Sequence, residues 1–365
     1  YQNSCGNGFS YAWCYYIPAS LKSVSVTRAN SIPADAFYNC DCIEEINLIV
    51  ENTEAGANAY YNCNAKVNNT LIATVSCTWD GKLVATSYHG GTGTESDPYQ
   101  IFSPKEFVYF LNQIRNGETY EGIYFKLTSN INLGGFAIDS TSLTEETAFK
   151  GILNGVSHRV FNFTIKSTDN TYNGFFGYMG GTIKNIGFKT SMNITSTQTS
   201  DVYTGLIIGN LSGTLENVYA SGSLTKTSFK TSYIGGMVGY STGSIINSYS
   251  NVNITSTSTN LKCYAGGLVG YNDGSIAGSF ACGNVSAKGY AEVYSFASGL
   301  VAMEGSNSNV TNCYRYSGQT ITKFGNSSTS YNDIGTVASL NEIISYCKTN
   351  WDGSVWSFKK TLPSF

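Results

Sequence analysis

Charge is scarce in this chain. Only 12% of its 365 residues are Asp, Glu, Lys or Arg, about half the usual share of roughly 25%. Its 21 cationic and 24 anionic side chains give a formal charge of −3, so no basic field exists to hold nucleic acid or an anionic membrane. No apolar run approaches the roughly 18 residues of a membrane-spanning helix. Proline is rare, at 5 residues, and glycine shows no Gly-X-Y period, which excludes collagen. There is no Cys-x-x-Cys pair, and Cys40 and Cys42 stand too close together for a zinc knuckle. His-Glu-x-x-His and a phosphate-loop Gly-Lys-Ser/Thr are missing as well. Disorder is excluded by 41% hydrophobic and 14% aromatic residues.

What replaces charge is Asn, Ser and Thr, with 39 Gly and 27 Tyr, a blend that suits stacked extended chains. An internal period organises it. From residue 172 an aromatic, a Gly-closed apolar quartet, then Gly-Ser/Thr-apolar and Asn recur. The copies run Tyr172–Gly177 to Asn185, Tyr203–Gly209 to Asn217, Tyr233–Gly239 to Asn247 and Tyr264–Gly270 to Gly278. A decayed fifth is Phe296–Ala302 to Asn312. The closing position advances through 177, 209, 239, 270 and 302. So steady a step predicts a solenoid.

The units hold short apolar runs broken by Gly and Asn, with no helical period. Three short strands per coil account for the repeat, and successive coils then stack about 4.8 Å apart. Stacking explains the low charge, because each side chain sits above its own copy and like charges there repel. The recurrent Asn fits a turn ladder, its amide bonding backbone in the next coil. The closing Gly fits either a positive φ or a tight backbone approach. Phe149–Ile165 and Tyr124–Leu133 read as earlier coils, giving room for roughly eight or nine between 97 and 365.

Two capping boxes bracket the repeats. Ser103-Pro104-Lys105-Glu106 precedes an apolar stripe of Phe107, Phe110, Leu111 and Ile114, and Ser339–Glu342 opens a second stripe of Leu340, Ile343, Ile344 and Cys347. Helices near 103–115 and 339–348 are therefore expected as lids on the open ends. Residues 1–75 follow a shorter step: Ala36–Cys40 recurs as Ala59–Cys63, and Leu21–Val26 as Ile43–Leu48. A step of 20 to 29 residues is the leucine-rich-repeat signature. Residues 76–96 read as a linker, closing on Gly90–Ser96.

The expected fold is mainly β: a parallel β-helix or β-solenoid with short capping helices, preceded by a small leucine-rich-repeat segment. The units resemble the GLUG repeat, through Gly236-Met-Val-Gly239 and Gly267-Leu-Val-Gly270, over about residues 97–365 including Asp97–Ile101. The Ala-Phe-Tyr-Asn-Cys steps resemble BspA-type leucine-rich repeats, with Asn64–Asn69 departing from that pattern. The pairing implies a secreted or surface-anchored protein of adhesin type. Neither family carries a shared catalytic set, so the resemblance transfers no functional residue.

An oxidising exterior fits the ten Cys, and eight Asn-x-Ser/Thr sequons are permissive of it. The chain opens at Tyr1 without Met, as expected of a mature form or an excised piece. Of the two His, His89 is expected to be solvated and His158 to stabilise a turn. A polysaccharide-cleaving β-helix needs two or three close carboxylates. Glu145, Glu146, Asp139, Asp169, Glu216 and Asp273 instead fall in different units. Cys40 and Cys63 recur in register and are read as buried thiols, while Cys5 and Cys14 could pair. The aromatics at 219, 249, 280 and 314 read first as a packed ladder and second as an exposed strip for sugar or protein.

No catalytic, cofactor or metal residue is assigned. The expectation is a non-catalytic extracellular adhesion module that presents β-ladders to a host or community protein or glycan ligand. The alternative is a structural subunit that self-associates into a filament or layer.

Overall fold

The computed structural model describes residues 79–365 apart from 143, 167–168, 325, 328–333 and 359–361, with short segments of 1–78. It divides into two units, Tyr1–Thr78 and Trp79–Phe365.

The second unit is a parallel β-solenoid of about six turns. Three sheets wrap one core. The wide sheet carries strands Ile152–Lys166, Thr182–Ser196 and Thr214–Ser228, then shorter segments through Ile321–Lys323. The tyrosine sheet stacks Tyr172–Asn173, Val202–Gly205, Ser232–Gly235, Cys263–Gly266 and Ser295–Ser298. The valine sheet stacks Phe176–Met179, Ile208–Leu211, Val238–Ser241, Val269–Asn272 and Val301–Glu304. Hydrogen-bonded register joins Phe176 to Ile208, Val238, Val269 and Val301. That is the step read from the glycine quartets.

The core is one continuous apolar column from Ile101 to Ile321. The glycines closing the quartets are required by close approach. A Cβ on Gly239 would stand 2.5 Å from Thr204 N, and one on Gly270 2.6 Å from Ile234 N. Positive φ falls instead on the Asn at each bend of the wide sheet: Asn185 at 54°, Asn217 at 54°, Asn247 at 47° and Asn312 at 51°. Asn tolerates this region better than most residues. Where the fourth copy lacks Asn, Gly278 holds the same bend at 60°. The ladder is bonded side chain to side chain: Asn217 Nδ2 donates to Asn185 Oδ1 at 2.9 Å, and Asn185 Nδ2 to Asn154 Oδ1 at 3.1 Å.

The coils number fewer than the eight or nine expected. Tyr99–Ile101, Tyr124–Leu127, Ile131–Asn132 and Ala137–Asp139 pair into the wide sheet alone. Helix α1 (Pro104–Arg115) takes the place of the other two sheets there. Its capping box forms as read, and Phe107, Phe110, Leu111 and Ile114 are fully buried against Phe125, Phe149 and Phe175. Arg115 ties the helix end down by donating to Asp139 O, Ser140 O and Asn112 Oδ1.

The second helix, α2 (Leu340–Asn350), is not an end lid. Its Ile343 and Cys347 pack with Tyr219, Tyr249, Phe280, Trp351 and Trp356, on the outer face of the wide sheet. The stripe needed an apolar partner, and the aromatic ladder supplies a longer one than a coil end does. The linker expected at 76–96 also packs from Trp79 onward. Tyr88 lies 4.8 Å from Tyr99 and 5.3 Å from Phe125, and His89 N donates to Gln100 O at 3.1 Å.

In the first unit, Ser23–Val26, Glu45–Leu48 and Lys66–Val67 are parallel strands in register, around a small core of Cys40, Ile43, Ile46, Cys63 and Ala65. Cys5, the side chain of Cys14 and most of the Ala-Phe-Tyr-Asn-Cys steps lie outside the described residues.

Candidate functional site

Two aromatic ladders run along the solenoid. The first stacks Tyr219, Tyr249 and Phe280 at 5.3 and 4.8 Å with ring planes 12° and 4° apart. It is covered. Trp356 lies 5.9 Å from Tyr249, Trp351 5.7 Å from Phe280 and Phe365 5.3 Å from Tyr219. Tyr249 Oη donates to Pro363 O at 2.6 Å and Trp351 Nε1 to Gly278 O at 2.9 Å. Burial pushes the Tyr249 phenol well above its ordinary range. The packed reading of this ladder holds, and the exposed-strip reading fails there.

The second ladder is the outer row of the tyrosine sheet: Tyr172, Tyr203, Tyr233, Tyr264 and Phe296. Successive ring centroids lie 5.1, 4.9, 4.8 and 4.5 Å apart, with planes within 20°. A row from the valine sheet crosses it, Tyr240 at 5.4 Å from Tyr203 and Tyr271 at 5.5 Å from Tyr233. Stacking hides ring faces and leaves edges and hydroxyls outward. Burial, with Tyr172 and Asp201 beside it, pushes Tyr203 up to about 12. Tyr233 is raised for the same reasons. Both remain neutral donors at physiological pH.

Beside this ladder the turns at 197–201, 229–231, 259–262 and 289–294 differ in length and leave a cleft of about 650 Å³. Its lining includes Asp201, Tyr233, Asn260, Lys262, Tyr290 and Tyr294. That volume falls within the roughly 300–1,000 Å³ typical of ligand sites. Tyr290 and Tyr294 are 64% and 41% exposed, and Phe229, Leu261 and Val293 add apolar surface to the same turns. Sequence reading missed the cleft because unequal turns break the period that found the coils. Its available signal was large apolar residues where turns are usually polar.

The carboxylates are not brought together. Asp169 accepts from Ser196 Oγ at 2.6 Å and Thr197 N at 2.7 Å. Asp273 accepts from Asn307 N at 2.8 Å, and Asp139 stands 3.7 Å from Lys166 Nζ. Glu216 lies in the wide sheet opposite Lys184. Glu145 and Glu146 sit in an exposed turn, where a backbone bond and Thr144 hold Glu146 low. Among the described residues no three His, Cys, Asp or Glu converge to hold a metal. His89 is not simply solvated, since its Nδ1 lies 3.8 Å from Glu106 Oε1 and its ring 4.9 Å from Phe102. His158 pairs in register with Ile186 and is lowered by burial.

One buried amine stands out. Lys226 is 1% exposed, its Nζ has no hydrogen-bond partner among the described residues, and burial lowers it to about 8 against the pull of Asp169. Cys263 Sγ meets Ser256 Oγ at 3.0 Å across the core. One coil earlier the same two positions are Lys226 and Ser232, and Ser232 Oγ is unpartnered too. Enclosure keeps this amine from meeting a ligand.

Known proteins share part of this sequence and its fold. The chain is 30% identical over 150 residues to halomucin of Haloquadratum walsbyi, covering 38% of this chain and 2% of that protein. It is also 30% identical over 145 residues to a candidate Gly-rich membrane protein of Evansella cellulosilytica, covering 38% of this chain and 16% of that one. The chain thus spans a small part of either relative. A crystal structure of a candidate immunoglobulin A1 protease from Bacteroides ovatus shares the fold, with a TM-score of 0.51 and 20% identity over 76% of this chain and 95% of that one. No protein-family profile matches the chain.

Proposed function

We propose that this chain is a non-catalytic binding module of an extracellular, cell-surface adhesin, and that its open tyrosine face meets the ligand. The observation that carries the reading is the pairing of a rigid repeat scaffold with a ligand-sized, tyrosine-lined cleft at its side. A solenoid holds side chains at fixed spacing over several coils, which suits contact along an extended partner. Dispersed carboxylates offer no acid–base pair for hydrolysis. The names of the two relatives, a halomucin and a membrane protein, support a surface setting. So do the resemblance to GLUG repeats and the 22-residue step in the first unit, which reads as leucine-rich. Arrays of glycans and of extracellular proteins, probed with the whole chain, test this reading. The expected result is saturable binding to at least one class that weakens when Tyr233 and Tyr264 are replaced by Ala. Silence on both arrays overturns it.

A further inference from the structure

The cleft beside the open ladder has a chemistry that narrows its ligand. Four tyrosines line it in two distinct ways. Tyr233 and Tyr264 are ladder members stacked 4.8 Å apart with planes 3° apart; Tyr264 is 5% exposed and forms part of the wall, and half-buried Tyr233 offers an edge and a hydroxyl. Tyr290 and Tyr294 stand outside the ladder, exposed and stacked on no other ring among the described residues, so their faces are open to a ligand. Between them lie Asn260, Thr231, Asp201 and Lys262. Among the described residues, none of the four phenol hydroxyls and none of the Asp201, Asn260 or Lys262 side chains has a hydrogen-bond partner. One acid and one base leave the lining without net charge.

Open aromatic faces next to unspent neutral donors and acceptors suit a molecule with apolar C–H faces and hydroxyl edges. A pyranose ring has both. A peptide strand would instead call for a free sheet edge, and the cleft is walled by turns and side chains. An acidic polymer would call for several cations, and Lys262 alone lines the cleft.

We infer that this cleft binds an uncharged oligosaccharide, with sugar rings on Tyr290 and Tyr294 and hydroxyls on Asn260, Asp201 and Tyr233. The inference rests on the binding-module reading and gives its site a ligand class. Calorimetry of the whole chain against soluble neutral tetra- to hexasaccharides of glucose, mannose, galactose, xylose and N-acetylglucosamine tests it. At least one is expected to bind, and the Tyr290→Ala/Tyr294→Ala double variant is expected to lose about ten-fold or more in affinity. Leu83→Ala, at an exposed residue outside the cleft lining, should bind as the parent does. The double variant should keep its unfolding midpoint, because both rings are exposed.

Binding that survives the double substitution overturns the site. Binding of uronic-acid or sulfated oligosaccharides alone overturns the ligand class. Where no sugar binds but an extracellular protein does, the sugar assignment falls and the adhesion reading stands. Where nothing of either kind binds, both fall.

Discussion

The two aromatic ladders arise from the same repeat and stack at the same spacing, yet one is covered along its length and the other is mostly half-buried beside an open cleft. Tyr219, Tyr249 and Phe280 meet α2 and the C-terminal tail, while Tyr172, Tyr203, Tyr233, Tyr264 and Phe296 stack on each other and meet a crossing row of tyrosines. A parallel solenoid must stack like on like, so any aromatic position becomes a ladder. Whether that ladder stabilises the fold or faces a ligand depends on what the rest of the chain lays over it. The tail carries Trp351, Trp356 and Phe365 to one ladder. The other has short, unequal turns at its margin.

The largest contrast is expected from removing the cover. Trp356 is 2% exposed and touches Tyr219, Tyr249, Trp351 and Phe365. Trp356→Ala should cost about 3–5 kcal/mol, the usual range for a buried tryptophan, read as a lowered midpoint in urea. Tyr290→Ala on the open side should shift that midpoint by less than about 0.5 kcal/mol. Equal losses at the two sites would erase the distinction between cover and surface.

Behind the open ladder the interior is itself imperfect, and Lys226 measures by how much. Its folded value of about 8 lies below its ordinary 10.5, so folding disfavours the charged amine. Between those values the unfolded chain holds a proton that the folded one has shed, and stability rises with pH. Below pH 8 both states are protonated and the whole penalty is present. The fall from 10.5 to about 8 corresponds to roughly 3 kcal/mol. Lys226→Met should therefore stabilise the chain at pH 7 by about 2–3 kcal/mol and remove the rise in stability between pH 8 and 10.5. An unchanged pH profile would show that the amine already has a partner.

Much of this organisation is legible in the sequence, and the limits have physical causes. The glycine step gave the coils and their register because stacking forces identical neighbours. The capping boxes gave both helices, because cap chemistry is local. Placement of α2 was not legible: an apolar stripe states that a helix is buried, not against what. Asn at the bends was visible, but its left-handed backbone and its amide-to-amide bonding depend on neighbours two coils define together. The cleft was the least legible feature, since it is made from what differs between copies.

The smallest expected effect is the sharpest test of the comparison, because it alters one oxygen on each ladder. Tyr249 Oη is buried and donates to Pro363 O at 2.6 Å. Tyr249→Phe leaves that carbonyl unsatisfied and should cost about 1 kcal/mol, read from the same urea midpoints. Tyr233→Phe removes a hydroxyl with no hydrogen-bond partner among the described residues, so its cost should be within about 0.3 kcal/mol of zero. The two substitutions are chemically identical and sit in parallel stacks. A difference between them therefore reports cover alone, since ring stacking is preserved in both. Should Tyr233→Phe prove as costly as Tyr249→Phe, the open ladder would be holding the fold together, and its hydroxyls would not be free for a ligand.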